Sequence, residues 1–139
     1  MPLSRLAYAL RRRLCVPDVI VDFVNDEENL FVTIENIGTG PAHAISVSFE
    51  PDLQGVRGTV KVSALRLFDN LSFLPPGREV RTFLDVTPAY FDRDEPTDIS
   101  VTVRFENDGG TRFTRHLKHD LSVHQNTSPP PSTGESRSP

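Results

Sequence analysis

Along most of this chain, apolar residues recur at every second position. DVIVDFV (18–24) places Val19, Val21 and Phe23 on one face, and NLFVTIEN (29–36) does the same with Leu30, Val32 and Ile34. AISVSFE (44–50) sets Ile45, Val47 and Phe49 against Ser46, Ser48 and Glu50. REVRTFLDV (78–86) contributes Val80, Leu84 and Val86, and DISVTVRFEN (98–107) alternates Ile99, Val101, Val103 and Phe105 with Ser100, Thr102, Arg104 and Glu106. A period of two is the signature of strands with one buried face, and three such segments in succession exclude a helical bundle. NDGG (107–110) joins the last of these to TRFTRHLKHDLSV (111–123) as an antiparallel hairpin. Residues 51–77 are less regular. GTVKVSAL (58–65) reads as a short edge strand, and PAYFDRDEP (88–96) as a helical turn.

The two ends break this period. Leu3, Leu6, Ala7, Leu10 and Leu14 are spaced by three and four, which predicts a short amphipathic helix over residues 1–16, ended by Pro17. QNTSPPPSTGESRSP (125–139) has four prolines and no large apolar side chain, so burial cannot offset its ordering entropy and it is expected to be disordered. The predicted organisation is therefore a helix (1–16), one β-sandwich domain (17–124) and a tail (125–139). The expected fold class is all-β: a seven-stranded antiparallel immunoglobulin-like β-sandwich with a short N-terminal amphipathic helix. At 139 residues the chain has room for one core.

Charge narrows the choice of partners. Residues 1–16 carry Arg5, Arg11, Arg12 and Arg13 and no acid, whereas residues 17–124 hold ten basic and eighteen acidic side chains, a balance of −8. An acidic body with no tryptophan argues against tracking phosphates, so nucleic acid is not expected as a partner. One cysteine, Cys15, permits neither an intrachain disulfide nor a cysteine-based zinc site. No run is apolar enough to span a bilayer, and the start lacks the uninterrupted apolar stretch of a secretory signal, so the expected location is the cytoplasm, at most peripheral to a membrane.

Candidate chemistry is weighed against plainer structural roles. NIGTGPA (36–42) is glycine-rich, but a phosphate loop leads into a helix and this segment leads into a strand. Asn36, Gly38, Gly40 and Pro41 are therefore read as a turn, with the glycines supplying positive φ or close approach and the Asn36 side chain satisfying backbone groups. His116, His119, His124 and Asp120 share one segment, but strand alternation sends His116 and His119 to opposite faces, so surface histidines are expected and no metal site. Asp92, Asp94, Glu95 and Asp98 resemble a calcium-binding composition without the glycine and distal glutamate of a calcium loop. No serine sits at a strand-to-helix elbow and Cys15 has no histidine nearby in sequence, so no catalytic residue and no cofactor is assigned. The outward strand positions, rich in Ser, Thr, Arg and Glu, are expected to leave no large apolar patch.

The basic amphipathic stretch carries the most functional content, and three readings of it stay open. Leu3, Leu6, Leu10 and Leu14 with Arg5, Arg11, Arg12 and Arg13 can enter a membrane interface or a partner's groove, can pack on the sandwich, or can belong to a transit peptide.

PDVIVDF, LFVTIENIGTGPAHAISVSF, LPPGREV (74–80) and VTVRFENDGGTRF together resemble the CARDB-like domains of bacteria and archaea, over about residues 17–123. The resemblance implies an immunoglobulin-like sandwich of the kind that serves as a non-catalytic module spacing, presenting or binding other parts. It also implies scaffold roles for Asn36, Gly38, Gly40 and Pro41 between the second and third strands, for Pro76 and Gly77 before the fifth, and for Gly109 and Gly110 in the last hairpin. The expected function is a non-enzymatic protein-interaction or accessory module with a protein partner. The alternatives are a peripheral membrane accessory docking through the basic helix, and a ligand- or calcium-binding domain using the 88–98 loop.

Overall fold

A computed structural model describes residues 15–125. The expected helix over 1–16 and the tail over 126–139 lie outside the described residues, apart from Cys15 and Val16, which are not helical. The described residues are mostly β, as an all-β chain requires, with antiparallel pairing throughout. Strands β1 (Val19–Asp26) and β2 (Asn29–Asn36) form a hairpin paired over all eight residues. Its turn residues Glu27 and Glu28 both have positive φ, 50° and 67°, the twist that a two-residue hairpin turn requires, here without glycine. The chain then crosses to β3 (Ala42–Glu50). The two-residue strands β4 (Gln54–Gly55) and β5 (Val60–Lys61) precede a 3-10 turn at Val62–Ala64 and helix α1 (Arg66–Asp69). Next come β6 (Leu71–Leu74), β7 (Glu79–Val86), helix α2 (Thr87–Asp92), β8 (Asp98–Glu106) and β9 (Arg112–Asp120).

These strands make a three-stranded sheet of order β1-β2-β7, a four-stranded sheet of order β6-β3-β8-β9 and the small β4-β5 pair. Both larger sheets feed one core. Val19, Val21, Phe23, Leu30, Val32 and Ile34 enter from one sheet and Ile45, Val47, Phe49, Ile99, Val101, Val103 and Phe105 from the other, all buried. Leu53, Phe68, Tyr90 and Leu121 close the end where the irregular segments gather.

The described residues form nine strands where seven were expected. The 58–65 edge strand shrinks to Val60–Lys61 because Val62 turns inward into the 3-10 turn and is buried at 1% exposure. Leu71–Leu74, for which no strand was expected, pairs with β3 as an edge. Its pattern hides the strand, since Leu71 and Leu74 are both apolar yet an odd number of residues apart. The third strand begins at Ala42 rather than 44. Ala44 takes φ 52° where the register against β8 shifts, so Ala42 and Ile45 both face the core across a bulge.

At the other end, NIGTGPA is a turn built around one side chain. Asn36 is fully buried. Its Oδ1 accepts from the amides of Asp18 (3.1 Å) and Gly38 (3.0 Å), and its Nδ2 donates to the carbonyls of Gly40 (2.9 Å) and Leu74 (3.0 Å). Its own amide donates to Arg78 O and its carbonyl accepts from Gly77 N. Every hydrogen-bonding position of the side chain is filled. The glycines serve close approach rather than positive φ: a Cβ on Gly38 would lie 2.3 Å from Val16 O, and one on Gly40 2.4 Å from Cys15 O. Gly77 and Gly110 are the positive-φ glycines of the later turns, at 77° and 83°.

Replacing Asn36 by alanine strands these buried backbone groups and should lower stability by about 3 kcal/mol, with the melting temperature falling by roughly 10 °C. Asn36→Asp should be no better at neutral pH, because a carboxylate oxygen would face the Gly40 and Leu74 carbonyls. Gly38→Val should also melt early. Thermal denaturation followed by circular dichroism measures all three, and an Asn36→Ala melting temperature within 2 °C of wild type, taken as roughly the scale of a neutral surface change, would refute this role.

Candidate functional site

The outer face of the three-stranded sheet has three rows of three residues. Val24, Phe31 and Phe83 are aligned across β1, β2 and β7, as are Asp22, Thr33 and Arg81, and then Ile20, Glu35 and Glu79. The Phe31 and Phe83 rings meet edge to face at 5.9 Å. The Arg81 guanidinium lies 4.9 Å above the Phe31 ring, 3.1 Å from Glu79 through Nε and 3.6 Å from Asp26 through Nη1. Phe83 is 38% exposed, while Ile20, Val24 and Phe31 are partly exposed. The face thus combines an aromatic pair with a rim of carboxylates, Asp22, Asp26, Glu35 and Glu79, against one guanidinium.

The sequence expectation was of outward faces without a large apolar patch; this face adds a small aromatic pair to them. The signal lay in the strands themselves: VIVDFV, LFV and TFL place apolar residues at consecutive positions, so β1, β2 and β7 are apolar on both sides. A strand apolar on both faces is the pattern of a sheet covered on both faces. The four-stranded sheet is more polar, exposing Ser46, Ser48, Ser100, Thr102, Arg104, Thr114, His116 and Lys118 outward, with Phe73 of β6, 49% exposed, against His43 at its edge. A shallow cleft of about 340 Å³ lies on it beside α1, lined among others by Ser46, Ser48, Ser63, Arg66, Asp69 and Arg104.

The sequence-level candidates are distributed differently from this face. Leu3, Arg5, Leu6, Leu10, Arg11, Arg12, Arg13 and Leu14 lie outside the described residues. Asn36, Gly38, Gly40 and Pro41 form the β2–β3 turn, Pro76 and Gly77 the β6–β7 turn, and Gly109 and Gly110 the β8–β9 connection. His116 faces outward against Thr102. His119 does not lie on the surface as expected. It points inward, its Nε2 donating to Val21 O at 2.8 Å and its ring packing edge to face on Phe23 at 5.1 Å. With Arg115 Nε 2.8 Å from Asp18, it seals the free edge of β1 against β9. His43 pairs with Asp108 at 2.6 Å. Among the described residues no group of three or more His, Cys, Asp or Glu is placed to hold a metal ion, and no helix is long and apolar enough to cross a membrane.

The 92–98 acids are split by an ion-pair node that sequence reading missed. A register shift where β2 meets β7 leaves both Leu84 and Asp85 buried. Asp85 there receives the Arg93 guanidinium and the Arg57 amide. Arg93 also donates to Glu95 Oε2 and to the carbonyls of Ala89 and Gln54, so one side chain ties α2, β4 and β7 together. Burial opposes the Arg93 charge, but the bonds to Asp85 and Glu95 outweigh it and hold its pKa above the ordinary value. Beside it, Tyr90 is fully buried and donates to Pro96 O at 2.7 Å. Burial first, then the Glu95 charge, pushes its hydroxyl above the usual value of 10.

Because the unfolded chain ionises near that ordinary value and the fold resists ionisation, the stabilisation is present below about pH 10 and lost as pH rises further. Tyr90→Phe should therefore flatten the fall in melting temperature across roughly pH 9 to 11, while losing about 1 kcal/mol at neutral pH with the Pro96 hydrogen bond. Parallel slopes for the two proteins would contradict this.

The sequence pattern of one family, Domain of unknown function (DUF8453), matches residues 4–125. No curated protein and no solved structure matches the chain. The match takes in the Asn36 turn, the aromatic face and the Arg93 node, and reaches back into the leucine- and arginine-bearing N-terminal segment; the chain belongs to the DUF8453 family.

Proposed function

We propose that this protein is a non-enzymatic, immunoglobulin-like β-sandwich that acts as a protein-interaction module, docking a basic amphipathic helix on the outer face of its three-stranded sheet. The immunoglobulin-like reading is supported by strand order: with β1, β2, β3, β6, β7, β8 and β9 lettered A, B, C, C′, E, F and G, the sheets are A-B-E and C′-C-F-G. The resemblance to CARDB-like modules points the same way. A non-catalytic role is supported by the commitment of the chemically capable side chains: Arg93, Asp85 and Glu95 hold loops, and His119 holds a strand edge.

The observation that carries the docking reading is the exposed Phe31–Phe83 pair with Arg81 above it, inside a carboxylate rim. Aromatic and arginine side chains dominate binding energy where they are desolvated together. The face is three strands wide. At about 4.8 Å between strands, that is close to the 10–12 Å diameter of one helix and too narrow for a globular partner's full interface. Its carboxylates select a helix flanked by cations.

The test is fluorescence anisotropy with a labelled peptide of about fourteen residues bearing leucines at helical spacing and arginines on the flanks. Wild type should bind, with affinity falling at least tenfold in Phe83→Glu and at higher salt, and unchanged in Arg104→Glu on the opposite sheet. Binding that survives Phe83→Glu but not Arg104→Glu would move the site to the cleft by α1 and overturn the assignment.

A further inference from the structure

Resting on that reading of the face, we infer that its occupant is the N-terminal segment, residues 3–14, of a second copy of this chain. Three observations combine. First, the segment has the required chemistry. At about 100° per residue, Leu3, Leu6, Ala7, Leu10 and Leu14 fall in one stripe of the predicted helix, with Arg11 and Arg13 about 80° to either side of it. Arg11 and Arg13 are thereby set to reach carboxylates on both margins of the face, Asp22 and Asp26 toward β1 and Glu79 toward β7. No acid occurs in the segment.

Second, the lengths agree. A helix from Leu3 to Leu14 runs about 17 Å at 1.5 Å per residue, and the rows from Ile20 to Val24 run about 14 Å along the strand. The family pattern begins at residue 4, so the segment belongs to the same unit as the sheets.

Third, the point where the described chain starts excludes the same molecule as the donor. Cys15 and Val16 lie along Thr39 and Gly40, the stretch that leads into β3 of the four-stranded sheet. The aromatic face is on the far side of the three-stranded sheet, and its nearest row, at Ile20, is about 17 Å further along the chain. Leu14 is itself part of the apolar stripe and precedes Cys15 by one Cα step of about 3.8 Å, so no slack remains for the predicted helix to turn back over its own face. A second copy has no such restriction. Reciprocal exchange of two helices across a two-fold axis satisfies both faces at once.

Sedimentation velocity of the full chain tests this. Wild type should be a dimer, weakened by salt, and both Phe83→Glu and the double variant Leu6→Glu/Leu10→Glu should be monomers with at least tenfold weaker association. The first keeps an intact helix and the second an intact face, so mixing the two monomeric variants leaves one of the two helix–face contacts and should give a heterodimer weaker than the wild-type dimer but tighter than either variant alone. A wild type that is monomeric at 100 µM, roughly the upper end of micromolar association, overturns the inference, as does a dimer that survives both variants or a mixture that stays monomeric. If the chain is monomeric while Phe83→Glu still abolishes binding of the unrelated helical peptide, the face reading stands and only the second copy is removed as its occupant.

Discussion

One buried amide holds the two sheets in register. Asn36 ends β2 in the three-stranded sheet, yet its side chain bonds to the entry of β1 at Asp18, to the approach to β3 at Gly40 and to the last residue of β6 at Leu74. Its main chain joins the β6–β7 turn at Gly77 and Arg78. Three chain segments, the entry to β1, the β2–β3 turn and the end of β6, therefore depend on a side chain that has no water to fall back on, and a buried amide in that position costs more when unpaired than any of its bonds contributes singly. The glycines at 38 and 40 are consequences of this node, because the backbone of residues 15–18 must pass within contact distance for Asp18 to reach the amide.

The same strand pairing that buries one face of each sheet leaves the outer faces with unequal tasks. Apart from the bulge at Ala44 and the exposed Phe73 on its edge strand, the four-stranded sheet alternates and presents hydroxyls and charges to water. The three-stranded sheet carries Phe31, Phe83, Val24 and Ile20 outward, and its central Thr33 is only 3% exposed beneath Asp22 and Arg81. An antiparallel sheet with one wet face needs no such residues. The aromatic pair and its carboxylate rim give the face a shape and a charge, and the proposal of a helix-sized, cationic occupant rests on these two together rather than on apolar area alone.

At the opposite end the fold relies on charge. Asp85 is buried at 1% exposure, and Arg93 answers it while collecting carbonyls from two other segments. This bracket holds the β4–β5 loop, where Val56, Arg57 and Gly58 all take positive φ, against the end of β7. Removing Arg93 would leave the buried Asp85 carboxylate without its ionic partner, a cost of about 3–5 kcal/mol in comparable buried pairs, whereas Arg93 without Asp85 would keep Glu95. The two ends of the domain are thus secured differently, one by a neutral amide and the other by an ion pair.

Much of this protein was legible from residue order. Alternation located six of the seven strands in the two larger sheets, because a strand's inward set is written at every second position whatever it packs against. The NIGTGPA turn was legible for a similar reason, since a glycine pair and a proline ahead of a strand leave little else for the backbone to do. Where alternation lapses, sequence was silent: Leu71–Leu74 is a strand only because β3 offers it an edge, and Val62 leaves β5 only because the core has room for it. His119 shows the same limit: alternation separates it from His116, but only the arrival of β1 supplies the Val21 carbonyl that accepts its hydrogen bond. Asp85 and Arg93 are eight residues apart and meet only through a bulge and a helical turn, and the aromatic face exists only because register aligns Phe31 with Phe83. Sequence by itself determined which residues face inward wherever alternation holds, a property of local geometry, but not at bulges such as the one that buries Asp85. Tertiary structure decided which side chains meet, because those partners are set by pairing between distant segments.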